Sequence, residues 1–142
     1  MANAFPLPDT DWPVLAEYWA GAAAGELRIP RCAACGRYEW YPSDTCSGCG
    51  GADLPWTVMS GQATLYSWAE VSYAWVPQFK DLVPFVSGLA ALDEDPAVRL
   101  ATFVVDAEPA DLLIDMPLQV VFRPLQFTGV DGAVVAPLFK VN

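Results

Sequence analysis

From about residue 56 onward, apolar and polar positions alternate in short runs of strand length. Ala-Thr-Leu-Tyr-Ser-Trp-Ala-Glu-Val at 63–71 has a period of two and mixes β-branched with aromatic residues, which predicts a half-buried strand. Phe85–Leu92, Val98–Val105, Leu118–Arg123 and Ala133–Val141 read as four further strands. Turn-forming runs separate them, Asp-Glu-Asp-Pro at 93–96 and Thr-Gly-Val-Asp-Gly at 128–132. Between the third and fourth strands, residues 108–113 have the composition of one helical turn. Five strands with a short helix after the third is the order of an OB-fold barrel, and an open five-stranded meander is the competing layout.

The pattern changes upstream. Residues 11–25 suit a helix, with Thr10 or Asp11 to cap it, Pro13 in the first turn and Gly21 or Gly25 to end it. Leu15, Tyr18 and Trp19 then share one face, which docks either on the protein's own body or on a partner. Residues 26–55 are rich in Gly, Ser and Pro and hold too few aliphatic side chains to fold by burial alone. The expected organisation is an N-terminal helical arm at 1–27, a metal-ordered ribbon at 28–55 and a β-barrel domain at 56–142, mainly β overall.

Cysteine spacing says what orders the middle segment. Cys32 and Cys35 in CAACG, and Cys46 and Cys49 in CSGCG, form two Cys-x2-Cys pairs, each followed by glycine. Two residues between ligands let both sulfurs of a pair reach one tetrahedral centre, and a glycine after the second cysteine allows a tight turn of positive φ. Two facing knuckles predict one all-sulfur site, which suits zinc and, less well, iron of the rubredoxin kind. Four thiolates fill the tetrahedron, so such an ion is structural. Disulfides or two redox pairs are the alternative reading. Redox Cys-x2-Cys pairs usually open a helix near a βαβ unit, which this pattern lacks.

Charge and composition then remove function classes. The chain carries 17 acidic and 7 basic residues, with a net charge of −10 and no histidine. A phosphate-backbone binder needs a basic face, and the cations here are scattered from Arg28 to Lys140, so nucleic acid is not expected. Without histidine the commonest general base is missing, and catalysis by this chain alone would rest on carboxylates, thiols or tyrosines. No apolar run is long enough to span a bilayer. The N-terminal stretch lacks the basic start and apolar run of a signal peptide, so the expectation is a cytoplasmic protein with reduced thiols. Asp93, Glu94 and Asp95 precede Pro96 and read as a solvated turn.

The segment between the first two barrel strands, SYAWVPQFKDLVP at 72–84, is too long for a tight hairpin. Its Tyr73, Trp75 and Phe79, with Phe85 just beyond, either meet a partner or ligand or close one end of the barrel.

The order of these markers resembles the DUF35 family, a rubredoxin-like zinc ribbon followed by an OB-fold domain associated with acyl-CoA. The resemblance runs over nearly the whole chain. It rests on Tyr18-Trp19, Gly25-Glu26-Leu27, the two knuckles, and Trp56 leading to Ser-Gly-Gln-Ala-Thr-Leu-Tyr at 60–66. Pro-Phe-Val at 84–86, Asp-Met-Pro-Leu at 115–118 and Pro-Leu-Phe at 137–139 complete it. Two departures stand out: the family tends to have glycine where this chain has Asp115, and a basic or Pro-Arg stretch where it reads Tyr-Pro-Ser-Asp-Thr at 41–45. The resemblance implies a supporting subunit of a thiolase-like enzyme, either a thiolase or a lipid-transfer-type aldolase of steroid side-chain degradation. Other such proteins accompany MaoC-like hydratases. It also implies acyl-CoA at a shared interface, where Lys80 and Arg99 are the cations that could meet its phosphates. A stand-alone acyl-CoA-binding module, an OB-type nucleic-acid binder and a small iron redox protein are the competing roles.

Overall fold

A computed structural model describes residues 3–142. One α-helix, a two-stranded ribbon and a closed five-stranded barrel follow one another along the chain. The mainly β class and the OB-type barrel match the sequence expectation.

Five strands make the barrel: β3 (Gln62–Val71), β4 (Phe85–Leu92), β5 (Arg99–Val105), β6 (Pro117–Leu125) and β7 (Val134–Val141). They lie in the order β3-β4-β5-β7-β6, and β6 closes back on β3. All neighbours are antiparallel except β5 and β7, whose parallel pairing holds only at Val104–Phe139 and Val105–Lys140. The expected helical turn before β6 is a single 3-10 turn, Pro109–Asp111. Alternate side chains point inward, so Leu65, Ala90, Leu92, Leu100, Leu118 and Phe139 are almost fully buried in one core. A register shift after Leu65 bulges Tyr66 outward, where the Arg99 guanidinium stacks 4.0 Å above its ring. Gly88 lies where the strands crowd together: a Cβ there would sit 2.9 Å from a Val104 methyl.

The helix α1 (Ala16–Ala23) is shorter than the expected 11–25. Residues 10–15 make turns instead, with the Trp12 amide bonded to Asp9 and the Leu15 amide to Trp12. Its end follows expectation: Gly25 has φ +76, the Gly25 amide donates to Ala22 and the Glu26 amide to Gly21, closing a Schellman motif. The helix lies against β7, and Tyr18 and Trp19 line a hollow with Ala101, Thr102 and Pro137 where β5 and β7 splay apart. Pro137 has no N–H to give across that seam.

β1 (Arg28–Pro30) and β2 (Trp56–Val58) pair antiparallel and bracket the cysteine segment. Bonds from the Met59 amide to Leu27 and from the Arg31 amide to Pro55 extend the pairing at both ends. Leu27 and Ile29 are buried in the same core as the barrel residues, so this ribbon is anchored at its base.

Candidate functional site

The residue pattern 32–36 folds into a knuckle because Gly36, at φ +78, turns its amide back to the Cys32 carbonyl at 2.8 Å. Gly50, at φ +77, does the same for Cys46 at 2.9 Å. The two turns face each other and bring the four sulfurs within 4.8 Å of one another. Cys32 and Cys49 Sγ stand 3.6 Å apart, as do Cys35 and Cys46 Sγ. A disulfide would require about 2.05 Å. A zinc–sulfur bond of about 2.3 Å implies tetrahedral edges of about 3.8 Å, so the cluster fits one zinc ion. Cys32 and Cys46 are buried, whereas Cys35 and Cys49 face outward. Gly51 approaches closely as well, since a Cβ there would lie 3.3 Å from both Cys32 and Cys49 Sγ.

The electrostatics favour a cation. The Cys35 backbone N–H, helped by that of Ala34, lowers the Cys32 thiol to about 7. The amides of Cys49 and Gly48 lower Cys46 in the same way. For Cys35 the Arg37 amide pulls downward, but the neighbouring sulfurs of Cys46 and Cys49 together with burial prevail, and the thiol is pushed up to about 12. Amide dipoles thus favour thiolates in a cluster where sulfur–sulfur proximity opposes full ionisation. A divalent ion removes that conflict.

Spacing could not reveal Glu39. It is 7% exposed and accepts from the Ser47 amide at 3.0 Å and the Ser47 hydroxyl at 3.1 Å. Arg37 Nε lies 3.9 Å from the same oxygen. Ser47 follows Cys46, so this buried carboxylate ties the second knuckle to the chain leaving the first. A buried charge is costly without such partners. The signal that could have found it is a glutamate surrounded by aromatic residues (Tyr38 and Trp40) inside a short metal-ordered segment.

The expected partner-facing aromatics divide into three groups. Tyr18 takes the first of its two alternatives, the protein's own body: it is 8% exposed and packs in the core, 5.1 Å from the Trp19 ring and 5.3 Å from Trp40, because α1 turns that face onto the barrel seam. Trp19 is half-buried beside it. Phe79, in a 3-10 turn at Pro77–Phe79, and Phe85 are half-buried in a ring chain, with Phe79–Phe127 at 5.2 Å and Phe85–Phe103 at 5.0 Å. Thr128 fastens this loop by donating its hydroxyl to Asp81 and its amide to Gln78. Only Tyr73 and Trp75 stand free of the barrel, 64% and 88% exposed and edge-to-face at 5.0 Å.

Beside the ring chain runs a groove of about 660 Å³, lined by the ends of β5 and β6 and the start of β4. Glu70, Asp106, Glu108 and Arg123 are its charged residues; Lys80 and Arg99 lie outside it. Arg123 donates to Asp106 through both terminal Nη nitrogens, Nη1 at 2.9 Å from Oδ1. That contact holds the Asp106 carboxyl below its usual range. The acidic run 93–95 is a turn, as expected, and Glu94 ties it to Ser60 through the Ser60 amide and hydroxyl. Among the described residues no helix is long and apolar enough to cross a membrane.

Comparison with known proteins agrees with this geometry. A family model described as "ChsH2, rubredoxin-like zinc ribbon domain" matches residues 19–55, and "ChsH2, C-terminal OB-fold domain" matches 56–123. A "DUF35 domain-containing scaffold protein" of Methanothermobacter thermautotrophicus is 26% identical over 105 residues, 73% of this chain and 77% of that protein. A solved chain described as "Ltp2-ChsH2(DUF35) aldolase" is 29% identical, with TM-score 0.75 over 91% of this chain and 94% of its own. A DUF35 structure of unknown function from Sulfolobus solfataricus shares the fold alone, at 13% identity and TM-score 0.56 over 92% of this chain and 87% of its own. With adjoining ribbon and barrel models running unbroken from residue 19 to residue 123, the chain belongs to the DUF35 family of zinc-ribbon/OB-fold proteins.

Proposed function

We propose that this chain is a non-catalytic subunit that docks on and supports a thiolase-fold acyl-CoA enzyme, either an aldolase of the lipid-transfer type or a thiolase. The observation that carries the reading is the likeness, over 91% of the chain, to the DUF35 chain of an Ltp2-ChsH2 aldolase. The scaffold description of the archaeal relative agrees with it. Cys32, Cys35, Cys46 and Cys49 would hold one zinc ion, leaving no vertex for a reactant. Its chemistry is to order the ribbon. A reducing cytoplasm suits four free thiols of this kind.

In this reading the arm at 1–27 and the ribbon at 28–55 brace the barrel at 56–142, and the exposed Tyr73–Trp75 pair is the docking anchor. Exposed aromatics of this size are the residues that dominate binding energy once desolvated. An acyl-CoA thioester would lie near the shared interface, and steroid-derived thioesters are the substrate class we favour. A supporting subunit needs no acid–base machinery, consistent with the absence of histidine.

The test is co-expression with a thiolase-fold protein of the lipid-transfer aldolase or thiolase type, followed by affinity measurement on the purified pair. A stable complex is expected, and Trp75→Ala should weaken it about 30-fold or more. If far-UV circular dichroism shows an intact fold and the affinity is unchanged, the aromatic pair is not the anchor. Association with a MaoC-like hydratase instead would replace the thiolase-fold assignment.

A further inference from the structure

We infer that the groove between the ends of β5 and β6 receives a polypeptide segment of the partner protein in which lysine or arginine flanks a short apolar run. The inference deepens the scaffold reading, which supplies the partner's identity. The groove's own chemistry supplies the rest.

The groove's volume, about 660 Å³, is enough to bury several side chains. Its floor is apolar: Val86, Val104 and Leu138 are buried, and the rings of Phe85, Phe103 and Phe127 stand around them. Its rim is acidic, since three carboxylates and one guanidinium line it, two negative charges in excess. The guanidinium is already engaged. Arg123 is held by Asp106 through two hydrogen bonds, and Asp106 adopts a left-handed conformation, φ +55, at the rim. Glu70 and Glu108 are exposed, and among the described residues neither is in an ion pair.

An anionic ligand entering here would meet unneutralised carboxylates and no free cation. The phosphates of coenzyme A therefore do not belong in this groove. A segment with Lys or Arg gains twice, from the rim carboxylates and from the negative faces of the phenyl rings beneath them. Its aliphatic neighbours cover the apolar floor. The net charge of −10 adds long-range attraction for a basic segment.

The test uses the full zinc-loaded chain, isotopically labelled, and two capped pentapeptides, Lys-Leu-Phe-Leu-Lys and its charge-inverted counterpart Glu-Leu-Phe-Leu-Glu. The basic peptide should shift the amide resonances of residues 103–108 and 123–127, and the acidic one should not. Binding should weaken with added salt. Glu70→Lys with Glu108→Lys should weaken it by about tenfold or more. Both residues are exposed, and a melting curve verifies folding. Should that double variant fail to fold, the salt dependence and the peptide inversion still decide the matter. Equal binding of the acidic peptide, coenzyme A shifting the same amides, shifts confined to other surfaces, or no shifts at millimolar peptide would each overturn the inference. A double variant that still joins the thiolase-fold partner at full affinity overturns the groove and leaves the scaffold reading standing. Binding of the basic peptide by a chain that joins no such partner does the reverse.

Discussion

The cysteine ribbon and the barrel are ordered by different physics. Between residues 31 and 55 the buried residues are Cys32, Glu39 and Cys46, two sulfurs and a carboxylate. The barrel buries Leu65, Leu92, Leu100, Leu118 and Phe139 at 2% exposure or less. One region is held by a few polar contacts that converge on an ion, the other by dispersed apolar area. They meet at Leu27, Ile29 and the half-buried rings of Tyr38 and Trp40, which pack on the barrel core. The lesson is that a short segment without aliphatic residues can still present a rigid surface, provided its few buried groups are all ligands or tethers.

Metal removal tests that contrast most severely. Zinc contributes about 10–16 kcal/mol of apparent binding free energy to folded zinc-finger peptides, more than any core the ribbon could build. A strong chelator, or Cys46→Ser, should abolish amide-exchange protection across residues 31–55 and leave the barrel amides of 62–71 and 85–105 protected. Equal loss in both regions would show that the two are one cooperative unit.

The converse change is Phe139→Ala. Phe139 is fully buried and sits where β7 pairs with both β5 and β6. Deleting a buried phenyl costs about 3–5 kcal/mol, so thermal melting should fall steeply. Below the melting range the zinc content should stay at one equivalent. Zinc loss in the folded variant would break the contrast.

These two regions also differed in how far they could be read from sequence. The strand runs 63–71, 85–92, 98–105, 118–123 and 133–141 fall within two residues of the observed β3–β7, because two-residue periodicity and turn residues are local signals. Cysteine spacing likewise exposes ligands that lie close together along the chain. The pairing of β1 with β2 left no such trace, since three-residue strands carry no periodicity and their partners lie 26 or more positions apart. The stripe of Leu15, Tyr18 and Trp19 left open whether it meets the barrel or a partner, because nothing in a helical stripe shows what will cover it. The groove was equally hidden, for its walls come from five separated stretches of chain.

Glu39 sharpens the comparison at intermediate size. Glu39→Ala leaves the Ser47 amide and hydroxyl without their acceptor and frees the second knuckle to move. Groups supporting metal ligands from behind typically contribute about 10-fold to 100-fold in metal affinity. Zinc transfer to a chromophoric chelator should therefore favour the chelator about tenfold more, while barrel melting barely changes. Glu39→Gln, which keeps one acceptor oxygen, should recover part of the loss. Unchanged zinc affinity in both variants would reduce Glu39 to a packing residue.

The smallest effect concerns backbone conformation, which the two regions handle differently. In the ribbon the left-handed positions are glycines, Gly36 and Gly50, whereas the barrel domain puts aspartates at two, Asp106 and Asp115. Asp106 has a reason to carry a side chain, since its carboxylate holds Arg123. Asp115, at φ +66, is exposed, and the bond that matters there comes from its backbone amide to the Leu65 carbonyl at 2.8 Å. This is the position at which the family tends to have glycine, and the positive φ explains why. An L-residue in this conformation costs about 1–2 kcal/mol, somewhat less for aspartate, while glycine adds about 0.4–1 kcal/mol of unfolded-state entropy. Asp115→Gly should therefore stabilise the chain by only about 0.5 kcal/mol. Asp115→Ala should destabilise it, since alanine keeps the Cβ and lacks the polar group that eases aspartate into the left-handed region. Opposite signs for glycine and alanine in denaturant melts identify the backbone as the cause. The same sign for both would assign the effect to removal of a negative charge from a chain that already carries ten in excess.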